Sequence, residues 1–189
     1  MSEHADPIHK VSIIPRGPYG GATFSLPERD RTYFTRAYAT AMLRVALGGR
    51  VAEQEFLSDI SSGASSDIRQ ATELARRMVE EWGMDDEMGF VHYGQREGGP
   101  QWGSAVSPET ARMVEGQVKK LIDEAGRAAR EIIHSAPNRG RCEALAEALL
   151  EYETVTGDEV AAVLRGEGVD RPEPRAWPDR NDVIDGLTG

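Results

Sequence analysis

Leu47-Gly-Gly-Arg-Val-Ala-Glu53, followed after a short spacer by Ser61-Ser-Gly-Ala-Ser-Ser-Asp67-Ile-Arg-Gln-Ala-Thr-Glu-Leu-Ala-Arg-Arg77, decides how this chain is read. The second stretch opens with turn-forming polar residues and then changes character. From about Asp67 to Trp82, the residues Ile68, Ala71, Ala75, Met78, Val79 and Trp82 recur at three- and four-residue intervals. That spacing places them on one face of an amphipathic helix. Ser65 or Ser66 stands where an N-cap belongs. Upstream, Tyr38, Met42, Val45 and Ala46 carry the same period over Thr35–Leu47. Gly48-Gly49 is expected to end or interrupt that helix, leaving a short one over Arg50–Phe56.

The remaining chain is organised around this helical centre. Ser107-Pro108-Glu109 combines an N-cap serine, a proline at the first helical position and an acid in the first turn. A long helix is expected from there to about His134, broken by Pro137-Asn138. Arg141–Tyr152 reads as another helix, with Leu145, Leu149 and Leu150 apolar. Thr156-Gly-Asp-Glu159 is a capping-box pattern ahead of a last short helix, Val160–Leu164. Toward the N-terminus, Val11-Ser-Ile-Ile-Pro15 and Ala22-Thr-Phe-Ser-Leu26 are β-rich runs around a Gly/Pro-dense turn closed by Pro27, which suggests a hairpin or small sheet. Gly83 to Ala105 is a glycine-rich connection containing Tyr93 and Trp102. The expected fold class is mainly α, one helical domain over 1–165 with a small β element near its start. Residues 166–189 lack periodicity and read as a mobile Pro- and Asp-containing tail.

Composition narrows the function classes. The 189 residues are 39% hydrophobic and 29% charged, with 22 Lys and Arg against 32 Asp and Glu, a net charge of −10. That balance opposes binding to nucleic acid or an anionic membrane surface. No run approaches 18 apolar residues, and Met1-Ser-Glu-His-Ala-Asp-Pro7 lacks the layout of a signal peptide, so a cytoplasmic protein is expected. Cys142 is the one cysteine; it fits a reducing compartment and reads as a small buried hydrophobe.

The chemistry-bearing residues form no complete set on spacing alone. The histidines are His4, His9, His92 and His134. Two ligands on one helix face need a separation of three or four residues. His4 and His9 are five apart, and Pro7 between them opposes a helix. No G-x-S-x-G elbow and no G-x-x-x-x-G-K-[ST] phosphate loop occurs. Asp85-Asp86-Glu87 lacks the alternating spacing of a calcium loop. Arg76-Arg77 and Lys119-Lys120 read as solvated helix surface.

Four stretches carry a family resemblance: Asp6-Pro-Ile-His-Lys-Val-Ser-Ile-Ile-Pro-Arg-Gly17; Leu47–Glu53; Ser62-Gly-Ala-Ser-Ser-Asp-Ile68 continuing to Glu81-Trp-Gly-Met84; and Leu145-Ala-Glu-Ala-Leu-Leu-Glu-Tyr-Glu-Thr154 with Gly157-Asp-Glu-Val160. In order and spacing they resemble the proteolytic domain of FtsH-type ATP-dependent zinc metalloproteases over roughly residues 6–165. The resemblance implies a catalytic zinc held by two histidines of an H-E-x-x-H helix and by an aspartate, with the motif's glutamate as general base on bound water. Asp67 matches the aspartate position; taken alone it is also an ordinary acid in a helix's first turn. Gly21-Ala22-Thr23 matches a substrate-pairing edge strand, without the aromatic residue the family carries there. Main-chain pairing at such an edge is indifferent to side chain.

The chain departs from the family in one decisive respect, because H-E-x-x-H is absent from it. In the family that helix precedes the Asp-Pro-x-His-Lys stretch. The expectation is therefore the C-terminal portion of such a peptidase domain, truncated at its N-terminus. One carboxylate alone does not hold zinc, so this chain by itself is expected to bind no catalytic zinc and to cleave nothing. The alternative is a non-catalytic peptide-binding or ring-assembly module derived from that domain. Family peptidase domains form hexameric discs, which implies a homo-oligomer or assembly with full-length subunits as partners. The family's ATPase domain and membrane segments are likewise not represented here.

Overall fold

A computed structural model describes residues 4–15, 20–26, 33–57, 59–94 and 106–171. Five helices and three strands occur among them, in the order β1 (Ile8–Ser12), β2 (Ala22–Ser25), α1 (Arg36–Phe56), α2 (Ser65–Glu80), α3 (Pro108–His134), α4 (Ala136–Tyr152), β3 (Thr154–Thr156) and α5 (Gly157–Arg165). The mainly helical class with a small sheet is what the patterning implied. The turn at 16–19, Pro27, Trp102 and the tail beyond 171 lie outside the described residues.

The chain divides into two compact units. The first comprises Met1–Pro7 and Ser25–Glu143. Its core joins Ala39, Leu43 and Leu47 of α1, Ala71, Ala75, Met78 and Val79 of α2, and Val114, Val118 and Ala125 of α3, with Met88 from the loop after α2. At one end Phe34 stacks on Trp82, with centroids 5.4 Å apart and planes 11° from parallel. Tyr38 donates a 2.6 Å hydrogen bond to Asp6 Oδ2. Farther along, Arg130 of α3 reaches Gln54 and Glu55 of α1 at 2.7 and 3.2 Å.

α1 corrects the expected break. It runs unbroken through Gly48-Gly49 to Phe56. Each glycine costs a helix about 1 kcal/mol relative to alanine. Leu47 and Val51, both buried, flank the pair and anchor the helix on either side. The start of α2 differs as well. Ser65 and Ser66 lie inside the helix, the N-cap position is Ala64, and no side chain caps it. The Ser65 N–H instead donates to the Ser62 carbonyl at 3.0 Å.

α3 begins as read, with Ser107 at the N-cap accepting from the Thr110 N–H and Pro108 in the first turn. Its end is sharper than expected. Ser135 alone leaves helical geometry, and α4 starts at Ala136 rather than Arg141. Pro137 therefore sits in a first turn, where its missing N–H has no helical partner to lose. The Asn138 side chain donates to the Ile132 carbonyl at 2.8 Å and closes the corner. Cys142 on α4 is half-buried, and burial raises its thiol pKa.

The second unit comprises Ile8–Phe24 and Ala144–Gly189. Its sheet has the order β2-β1-β3. β1 and β3 are antiparallel with Lys10 opposite Thr156, Val11 opposite Val155 and Ser12 opposite Thr154. β1 begins three residues earlier than the expected strand at Val11, and β3 was not anticipated. Val155, fully buried, packs with Ala148, Leu149, Val160 and Val163. The Ser12 and Thr154 hydroxyls meet at 2.7 Å across the ladder. The chain turns from α4 into β3 at Glu153, whose φ of 58° lies in the left-handed region. α5 carries the expected capping box between Thr156 and Glu159 and ends at Gly166, φ 82°.

Candidate functional site

Asp67 lies in the first turn of α2 and is half-buried. The loop that delivers it is tied to α1 by Glu53. The Ser61 hydroxyl donates to Glu53 Oε1 at 2.5 Å, and the Ser61 N–H to Oε2 at 3.4 Å. The Ser61 hydroxyl oxygen also accepts from the Gly63 N–H at 3.1 Å. Arg50 approaches the same carboxylate at 3.5 Å. The two quoted stretches, Leu47–Glu53 and Ser61–Asp67, are thus one device. The glutamate ending the first holds the loop opening the second, and Asp67 emerges from that loop at a fixed point on α2.

The Ser61 hydroxyl, ahead of Ser61 N–H and Arg50, holds the Glu53 carboxyl below its ordinary value of 4.5. The sign follows from linkage. A depressed folded pKa means that the contribution is fully present above 4.5 and is lost as pH falls through the lowered value. Acidification should therefore release the 61–63 loop. Glu53→Gln should already show faster Ser61 and Gly63 amide exchange at neutral pH, with the acid dependence gone. Unchanged exchange in that variant would refute the anchoring role.

The described residues do not fit a catalytic zinc. Such a site takes three protein ligands and leaves one position for water. Among the described residues, no three His, Cys, Asp or Glu side chains lie close enough together to hold an ion. His4, His9, His92 and His134 are all exposed. His134 Nδ1 instead lies 3.1 Å from Glu55 Oε2 at the end of α3. No described histidine joins Asp67.

The edge-strand residues fall in the second unit. Ala22 and Thr23 belong to β2, which lies at the edge of the sheet beside β1. Gly21 precedes it, and there a Cβ would stand 2.6 Å from the Ser12 carbonyl oxygen. Glycine at 21 therefore answers a close backbone approach to β1. Lys10 of β1 extends over the Phe24 ring, 4.8 Å from its centroid. Glu53, at the end of the Leu47–Glu53 stretch, has a role that no pattern within its own helix announces. Its only local signal is a carboxylate a short spacer ahead of a Ser/Gly loop.

Peptidase family M41 matches residues 1–163, and the chain belongs to that family. It is 45% identical over 190 residues to ATP-dependent zinc metalloprotease FtsH 2 of Methylacidiphilum infernorum, covering 96% of this chain and 29% of that protein. It is 46% identical over 166 residues to the FtsH of Neorickettsia risticii, covering 87% and 26%. The FtsH of Acidobacterium capsulatum is 39% identical over 180 residues, covering 92% and 28%. The chain thus spans under a third of the length of these relatives. No helix among the described residues is long and apolar enough to cross a membrane.

Proposed function

We propose that this chain is the scaffold part of an FtsH-type peptidase domain and that Asp67 is the metal ligand it contributes. The supporting observation is the Glu53-pinned loop, which spends hydrogen bonds on fixing where Asp67 leaves α1's neighbourhood and enters α2. The other ligands and the water-activating glutamate have no counterpart in the sequence, so the chain alone binds no catalytic zinc and cleaves nothing. It works in a cytoplasmic setting, associating with copies of itself or with full-length FtsH-type subunits.

Metal analysis of the purified chain after zinc loading and desalting should give substoichiometric zinc, with no cleavage of an unfolded substrate. Fusing the H-E-x-x-H segment of a relative ahead of Met1 should bring zinc to one per chain, and Asp67→Asn in that fusion should remove it. Stoichiometric zinc on the unfused chain, or zinc retained by the Asp67→Asn fusion, would overturn the reading.

The position of β2 at the sheet edge favours a second role, main-chain pairing with an extended peptide. Titration with an unfolded peptide should slow amide exchange in Ala22–Ser25. Exchange there that ignores the peptide refutes it.

A further inference from the structure

The chain does not leave the second unit at the end of α5. Gly166 (φ 82°) and Gly168 (φ 73°) turn it back, and the Glu167 N–H donates to the Ala162 carbonyl at 3.0 Å. Val169 then packs against the cluster of Leu149, Val155, Val160 and Val163. Beyond it Arg171 sets two nitrogens of its guanidinium on one carboxylate: Nε donates to Glu159 Oε1 and Nη2 to Oε2. The same guanidinium lies over the Tyr152 ring at the end of α4, 5.6 Å from its centroid. A planar fork on a carboxylate with a ring beneath it is a geometry that lysine cannot reproduce.

Glu159 is where this strap meets the sheet. Its Oε2 also accepts from the Thr156 N–H and hydroxyl, at 2.7 and 2.9 Å. Arg171, ahead of Thr156, brings the Glu159 carboxyl down to about 2, so the pair stays charged at neutral pH. Thr156 is both the N-cap of α5 and the last residue of β3, opposite Lys10 of β1. Next to it Gly157 brings the start of α5 against the Ile8 and His9 carbonyls. Lys10 in turn lies over the Phe24 ring of β2. From Arg171 the contacts therefore run through Glu159 and Thr156 to β1, and on to the edge strand, within one compact unit.

We propose that residues 166–171 are a latched strap that holds the joint between α5 and β1, and that lifting Arg171 from Glu159 loosens the edge strand β2 and weakens its pairing with an extended peptide. The peptide half rests on the second role given above; the latch does not. An edge strand accepts a peptide through main-chain hydrogen bonds, so it must already be extended and held still. Ordering it at the moment of binding costs affinity. The strap thus governs an edge that lies beyond β1 from it.

Amide exchange on the full chain tests this, first without peptide. Arg171→Gln should speed exchange about fivefold at residues 10–12 and 22–24, while α1–α3 of the first unit keep their protection. Glu159→Gln keeps an acceptor for the Thr156 N–H but loses the charge, and should act alike. The double variant should be no worse than either alone. Arg171→Lys should fall between Arg171→Gln and the wild type, since it carries the charge without the fork. Unchanged exchange in both single variants, or effects that add in the double, overturns the latch. Faster exchange confined to residues 157–170 overturns the link to the edge. In the second arm, an unfolded peptide that slows exchange at residues 22–24 of the wild type should bind Arg171→Gln about fivefold more weakly. Equal affinity overturns the control of pairing. A peptide that leaves the wild-type edge untouched overturns the pairing role and that control with it, whereas the latch stands or falls on the first arm.

Discussion

Gly157→Ala is expected to destabilise the second unit by about 3 kcal/mol or more, at the upper end of what overpacking costs. Gly157 opens α5 immediately after the N-cap Thr156. A Cβ there would stand 2.0 Å from the Ile8 carbonyl oxygen, 3.1 Å from its carbon and 3.4 Å from the His9 oxygen. These are main-chain atoms of β1, which cannot rotate aside as a side chain could. β1 is also held in register against β3 by the pairs from Lys10–Thr156 to Ser12–Thr154. Either α5 lifts from the strand or β1 slides, and both movements uncover Val155 and Val160. Gly116→Ala on the exposed side of α3 supplies the control. Nothing lies within 4 Å of its Cβ position, so helix propensity alone should stabilise it by about 1 kcal/mol. Denaturant titration of both variants decides the matter. A Gly157→Ala protein with wild-type stability would show that the close approach is not maintained in solution.

Features written within one helix turn were legible in the sequence. The Ser107 cap of α3, the Thr156–Glu159 capping box and the apolar face of α2 from Ala71 onward depend on residues three or four apart, whereas Ile68, placed on that face by its spacing, is exposed. The chain states such relations directly. Features set by distant partners were not legible. Thr154-Val-Thr156 is too short to announce a strand, and becomes one by pairing with Lys10–Ser12 at the other end of the chain. Gly48-Gly49 reads as a stop, yet burial of Leu47 and Val51 carries α1 through it. Pro137 reads as a break, yet a helix that begins one residue earlier accommodates it. Asp67 was visible as a first-turn acid on a particular helix. The clamp that positions it was not, because Glu53 and Ser61 belong to separate local patterns and meet only in the fold.

Leu43→Ala should cost the first unit roughly 3 kcal/mol, within the 2–5 kcal/mol range for emptying a leucine site. Leu43 is completely buried, in a cluster that also holds Ala39, Leu47, Ala71, Ala75, Met78, Val79, Met88, Val114, Val118 and Ala125. Where a cavity is lined by long flexible side chains, neighbours lean in and lower the cost. Here the cluster mixes alanines, which have nothing to lean in with, and Met78 and Met88, which have the length and flexibility to move. Partial collapse around these methionines keeps the estimate below the top of the range. Leu43→Met, which preserves volume, should cost less than about 1.5 kcal/mol. The consequence for the site follows from α2. Ala71, Ala75 and Met78 of that helix share the buried cluster with Leu43, and Asp67 stands in its first turn. Loosening the core should therefore speed amide exchange along α2 while the β1–β3 ladder, packed on its own cluster of Leu149, Val155 and Val160, keeps its protection. Uniform loss of protection across α2 and the ladder would show the two clusters to be one cooperative core. Loss confined to α2 and its neighbours would place the positioning of Asp67 on the packing beneath it as much as on the Glu53 clamp beside it.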